Sequence, residues 1–270
     1  IHRDDIAEEL SAILSPMARQ KRMVVPEPTV KAFAGKYGGK CIPAVCVLLE
    51  STDGLETSQL YSILTNVDTT GNEKPILDGF EKDIRLVAAA FRAAPERARA
   101  IMRLHLPAMT AKGFCMFPDL YETVVRHEVR EAYWPILINL SHGGSNSAHM
   151  AKQFERLLRK NPGDKELEDA FRLALQCALV RYTPGGYMVR DMAVIGLRLQ
   201  IPEAIAALAS CRRQPPGDAY TYVAPAKILS ILRQYAELPE DDNAALETAD
   251  STDAKWDWNP ARKRFVRLDG

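Results

Sequence analysis

The sequence predicts an all-α fold: short antiparallel helix hairpins stacked into an α-solenoid, ending in a short β-hairpin-like tail. Three observations lead there. Apolar residues recur at steps of three and four through most of positions 1–238, while strand-like alternation is nearly absent. Pro or Gly recurs at intervals that rarely allow a helix beyond about five turns. The gaps left between periodic stretches are short, which suits antiparallel neighbours, and a hairpin unable to bury its own apolar face stacks on the next.

Taken in order, the pattern predicts helices near 3–20, 27–37, 40–51, 55–66, 81–93, 95–105 and 118–128. It continues with helices near 130–141, 146–160, 164–181, 186–199, 202–213 and 220–236. In the fifth, Ile84, Val87, Ala88 and Phe91 fall on one stripe. Phe154, Leu157 and Leu158 do the same, as do Leu167, Ala170, Phe171 and Ala174. Pro95-Glu96, Pro118-Asp119 and Pro202-Glu203 place proline and then an acid at first turns, where orphan N–H groups and the helix dipole favour both. Stops are read at Gly113, at Gly143-Gly144 and at the run ending in Gly217, and residues 68–75 read as a loop.

The C-terminal region differs in composition. Residues 239–254 carry six acids and no base among small residues, which predicts a flexible acidic linker between a helical domain at 1–238 and a tail at 255–270. The tail holds Trp256 and Trp258, a turn signal at Asn259-Pro260, then Phe265 among basic residues. That reads as a hairpin with an aromatic face. Since an isolated hairpin is marginal in water, Trp256, Trp258 and Phe265 are expected to dock on the helical body or, as the alternative, on a partner.

At Val189-Arg190-Asp191 and onward to Pro202-Glu203-Ala204 and Leu208, the chain resembles a HEAT repeat: a Val-Arg pair opens the second helix and a Pro-Glu-Ala turn starts the next hairpin. Ile84-Arg85 and Val129-Arg130 echo it, 45 residues apart, within the roughly 40–47 of such repeats. The resemblance implies a right-handed α-α superhelix of HEAT/ARM type, with degenerate repeats. It also implies alternatives, since HEAT-like base-repair glycosylases and bilin lyases exist. From the residues themselves, Arg85, Arg130 and Arg190 sit where a guanidinium reaches an Asp or a carbonyl of the adjoining hairpin, or else lines a ligand face.

Charge narrows the function classes. Lys+Arg and Asp+Glu both number 35, so no net field draws the chain to nucleic acid or anionic lipid. The five cysteines, Cys41, Cys46, Cys115, Cys177 and Cys211, are odd in number and mostly sit in apolar runs, reading as buried hydrophobes in a reducing, cytoplasmic setting. No run of about 18 apolar residues is visible, so no membrane span is expected. A start at Ile1 rather than Met leaves room for a truncated N-terminus.

Catalytic signals are weak. His127-Glu-Val-Arg-Glu131 begins like a zinc-binding helix, but its second ligand position is Glu131, so no metal site is expected. Gly143-Gly144 has neither the Lys nor the spacing of a phosphate loop, and Ser141-His142 lacks a strand-borne elbow. The adjacent acids Asp4-Asp5, Glu8-Glu9 and Asp241-Asp242 diverge on a helix. Two basic clusters remain, Arg92, Arg97, Arg99 and Arg103, then Lys152, Arg156, Arg159 and Lys160. The reading is a binding scaffold with no cofactor, whose groove of successive second helices is bordered by Arg126, Arg130, Arg156 and Arg190 and anchored by Trp134. A protein partner is favoured over nucleic acid. The alternatives are a HEAT-like nucleic-acid-binding or base-repair enzyme, and a structural domain or cap of a longer chain.

Overall fold

The computed structural model describes residues 3–19, 27–51, 55–111, 114, 116–144, 146–181, 186–213 and 222–268. They are mostly helical and fall into two compact units, one of residues up to Ala108 with Arg126–Ala132, the other of Met109–Val125 with Tyr133 onward. The expected stops at Gly113 and Gly217, the start of the 220–236 helix and Cys115 lie outside the described residues.

The first unit takes in α1 (Arg3–Arg19), α2 (Glu27–Tyr37), α3 (Ile42–Ser51), α4 (Leu55–Asn66), α5 (Glu73–Lys82) and α6 (Val87–Ala93), and most of α7 (Pro95–Met109). The first six helices pack on their next-but-one neighbours: α1 on α3, α2 on α4, α3 on α5 and α4 on α6. The 22 residues Pro28–Leu49 reach the length and mean hydropathy of a membrane span, as core helices of folded domains also do. They are folded as α2, a 3-10 turn at Gly38–Cys41 and α3. Gly38 makes the break at φ +52°, and Val30, Phe33, Cys41, Ile42 and Val45 are buried.

Residues 73–75, expected in a loop, instead open α5, because Pro75 falls in the first turn, where its missing N–H costs nothing. The loop shrinks to a turn in which Asp68 Oδ1 accepts from the Thr70 N–H at 3.0 Å and its hydroxyl at 2.7 Å. The helix expected over 81–93 is divided at Asp83, whose carboxylate takes the Arg85 N–H and caps a 3-10 turn before α6.

The second unit holds most of α8 (Pro118–Arg126), then α9 (Tyr133–His142), α10 (Ser147–Lys160), α11 (Lys165–Arg181), α12 (Gly186–Arg198), α13 (Glu203–Ser210), α14 (Pro225–Tyr235) and α15 (Asp242–Asp250). The alternation persists, with α9 on α11, α11 on α13 and α13 on α15 in one row, and α10 on α12 and α12 on α14 in the other. Phe154 and Phe171 stack at 5.8 Å between the rows, and Tyr133 meets Phe154 edge-on. At Gly196 the backbone of α12 comes so close to its neighbours that an added Cβ would lie 2.9 Å from Ala204 Cβ and 3.1 Å from Leu179 Cδ1.

Part of the expected acidic linker, 239–254, is helical. In α15, Asp241 caps the start through the Ala244 N–H at 2.8 Å, and Ala245, Leu246 and Ala249 are buried. Asp250, an acid at the unfavourable end of the helix dipole, is held by Arg212 at 3.0 Å and Arg213 at 2.5 Å. Two strands follow, β1 (Trp256–Asn259) and β2 (Arg264–Arg267), antiparallel with Trp258 opposite Phe265. Asn259 Oδ1 closes the turn by accepting from the Ala261 and Arg262 N–H groups. Phe265 is fully buried and Trp256 nearly so. The hairpin joins the end of α14, where the Glu237 N–H donates to the Phe265 carbonyl at 2.9 Å and Arg262 pairs with Glu237 at 2.8 Å.

Two substitutions test this packing by thermal and chemical unfolding. Gly196→Ala raises intrinsic helix propensity by about 1 kcal/mol, yet the close approach to Ala204 makes it destabilising. Phe265→Ala is expected to cost about 3 kcal/mol by emptying the seat beside α14.

Candidate interaction face on α10 and α12

The row of α10 and α12 presents side chains that repeat along two adjacent helices. On α10, Ala151, Phe154 and Leu157 face the core, which turns Lys152, Arg156 and Arg159 outward. On α12, Val189, Met192, Ala193 and Leu197 are buried, which leaves Arg190 and Asp191 half-buried and Arg198 exposed. Charges of the two helices meet in register. Lys152 reaches Asp191 at 2.5 Å, and Arg190 donates to the same carboxylate at 2.8 Å and 3.0 Å. One turn along, Glu155 accepts from Arg159 at 2.9 Å and from Arg198 at 2.8 Å. Four cations thus share two carboxylates, a local surplus of two positive charges within these bridges.

Burial pushes the Asp191 carboxyl up, but the bonds from Lys152 and Arg190 outweigh it and hold the group below its ordinary value of 3.8. Arg156 is exposed and bonds the amide oxygen of Gln153 at 3.4 Å, a neutral partner. On the same helix His149 Nε2 lies 2.7 Å from Glu122, and its ring meets Tyr121 at a tilt of 57° with centroids 5.4 Å apart. The turn from α10 to α11 and the end of α12 enclose a shallow depression whose charged lining is Glu155, Asp164 and Glu168 with Arg159 and Arg198.

Of the residues singled out in sequence, Arg156 and Arg190 belong to this row, whereas Trp134, 59% exposed, stands on α9 in the other row. Arg126 and Arg130 are exposed and belong to the first unit. Trp256, Trp258 and Phe265 are engaged in the hairpin, where Trp258 meets Phe265 edge-on at 5.2 Å. Arg85 bonds Asp83 beside it and lies over the Tyr61 ring, and Arg190 bonds its own neighbour Asp191. The reach to another helix is made instead by Arg92, onto the carbonyls of Leu64 and Thr65, and by Arg99, onto those of His127 and Glu128. Two of the four arginines of the first basic cluster are therefore engaged at the C-terminal ends of helices. Lys152, Asp191, Glu155 and Arg198 were not singled out as a set. Their signal was opposite charge at separations of 39 and 43 residues.

Among the described residues no group of three His, Cys, Asp or Glu side chains is placed to hold a metal ion. Burial pushes the thiols of Cys41 and Cys211 up to about 11, away from reactivity at neutral pH. No family model, no curated protein and no solved structure matches the chain, so the HEAT likeness rests on the residues from Val189 to Leu208 themselves.

The Asp191 bridge makes a signed prediction. A carboxyl held below its unfolded value stabilises the fold above that value, and the contribution is lost as pH falls through the folded one. Asp191→Asn is expected to cost about 1 kcal/mol at pH 7 and to flatten the loss of stability below about pH 4, both read from urea unfolding against pH.

Proposed function

We propose that the chain is a non-catalytic, macromolecule-binding scaffold, a right-handed HEAT/ARM-like superhelix in which α10, α12 and α14 are successive second helices lining the binding groove. Next-but-one packing of helices in both units supports the stacked reading. The observation that carries the binding reading is the pair of shared carboxylates: Lys152–Asp191 and Glu155–Arg198 pin α10 beside α12, and their surplus cations leave the face positive. Such a face suits an acidic stretch of a partner protein, with Arg156 as its exposed contact.

The same surplus of positive charge favours nucleic acid as a second reading, since phosphate contacts need only a cationic surface. The two separate on salt and nuclease. The chain is to be captured with its ligands from native lysate, with and without nuclease, beside Arg156→Glu. A stoichiometric protein that survives nuclease, and whose affinity falls about tenfold in Arg156→Glu with an unchanged melting temperature, supports the proposal. Retention of nucleic acid alone, lost at moderate salt, moves the second reading to the front. Retention indifferent to Arg156→Glu removes this face from the account.

A further inference from the structure

The opposite row carries an unexplained apolar surface. Helix α11 is buried on one side through Leu167, Phe171, Ala174, Leu175, Ala178 and Leu179. Its exposed side carries an apolar stripe beside the paired Lys165 and Asp169. Leu173 is 57% and Val180 62% exposed, with Cys177 half-buried between them and Ala170 half-buried one turn before Leu173. Spacings of three, four and seven put these four on one stripe. The neighbouring α9 adds the exposed Trp134 and the half-buried Ile138. An exposed apolar stripe continued by Trp134 on the next helix marks a surface that a further neighbour can cover.

Charge at the ends of the stripe identifies that neighbour. Glu166, exposed in the first turn of α11, has no ion pair or hydrogen bond among the described residues. At the other end the exposed Arg181 donates to His142 Nδ1 at 2.7 Å, which places the C-terminal ends of α9 and α11 side by side and the cation at the edge of the stripe. The stripe therefore runs from an acid to a base, with its centre between Leu173 and Ala174.

We infer that this face is a self-association surface, on which two copies of the chain pack α11 against α11, antiparallel, about a twofold axis near Leu173. Glu166 and Arg181 lie equally far from that centre, about 11 Å each way at a rise of 1.5 Å per residue. An antiparallel copy sets each Glu166 against the other copy's Arg181, aligns Ala170 with Cys177, brings Leu173 against itself, and opposes the helix dipoles. A parallel copy would set acid on acid and base on base. The second copy supplies by symmetry both the apolar stripe and the reversed charges, and the arrangement closes at two.

Sedimentation equilibrium of the full chain from about 1 to 100 μM, with circular dichroism as a check on folding, tests this. The wild type is expected to dimerise in that range. Leu173→Asp should weaken the dimer by at least about a hundredfold, and Glu166→Arg by about tenfold, without loss of helicity. Glu166→Arg combined with Arg181→Glu should restore affinity to within about threefold of wild type. A wild type monomeric at 100 μM overturns the inference, as does a dimer indifferent to Leu173→Asp. A double variant no tighter than Glu166→Arg alone overturns the antiparallel pairing.

Discussion

The structure depends on one constraint: helices this short cannot stand alone. Isolated helices below about 12–15 residues are marginal in water, and most of these are shorter than that or barely reach it. Each must lay an apolar stripe on a neighbour, and in both units the neighbour two places along the chain is the recurrent partner. That requirement explains the near-absence of side chains at Gly196, where α12 approaches α13 closely enough to exclude even a methyl group. It also explains why α15 and the hairpin exist at all. Leu246 and Phe265 are buried against other elements of the second unit, and neither segment has enough apolar surface to fold by itself.

Polar contacts then settle alignment. Exposed ion pairs each contribute little, so Lys152–Asp191 and Glu155–Arg198 matter less as energy than as register marks that hold α10 beside α12. Side-chain donors to backbone carbonyls do the same at chain ends. Arg92 satisfies Leu64 and Thr65, Asn139 reaches the Met109 carbonyl at 3.4 Å, and Asn146 that of Met116 at 2.7 Å. In the second unit the two rows end up chemically unlike. The α10 and α12 row is charged and bridged, while the α9 and α11 row is apolar at Trp134, Leu173 and Val180. One chain thus offers two surfaces of different character, one ionic and one apolar.

The helical character was legible because it is local: a stripe such as Leu167, Phe171 and Ala174 repeats at 3.6 residues whatever it packs against. The hairpin was legible for the same reason, through Asn259-Pro260 and the flanking aromatics. Reading failed where two local signals competed. Six acids in 239–254 hid the spacing of Ala245, Leu246 and Ala249, whose burial is a tertiary matter. The undivided helix expected over 81–93 missed the break at Asp83, whose carboxylate accepts from the Arg85 N–H. The candidate face was legible in part. Arg156 and Arg190 follow from residue type, but their carboxylate partners depend on which helix lies alongside, and Trp134 turned out to belong to the other row. Pairing at 39 residues is invisible without the register that packing sets.

Native-state hydrogen exchange of the whole chain, resolved by segment, tests the dependence of each element on its neighbours most directly. If packing on next-but-one helices holds the second unit together, the amides of α11, α13, α15 and β2 exchange through a shared opening, with protection far above that of the same segments as free peptides. If α15 and β2 exchange at unprotected rates while α11 and α13 stay closed, those elements are not part of the stack, and the account of the second unit is contradicted.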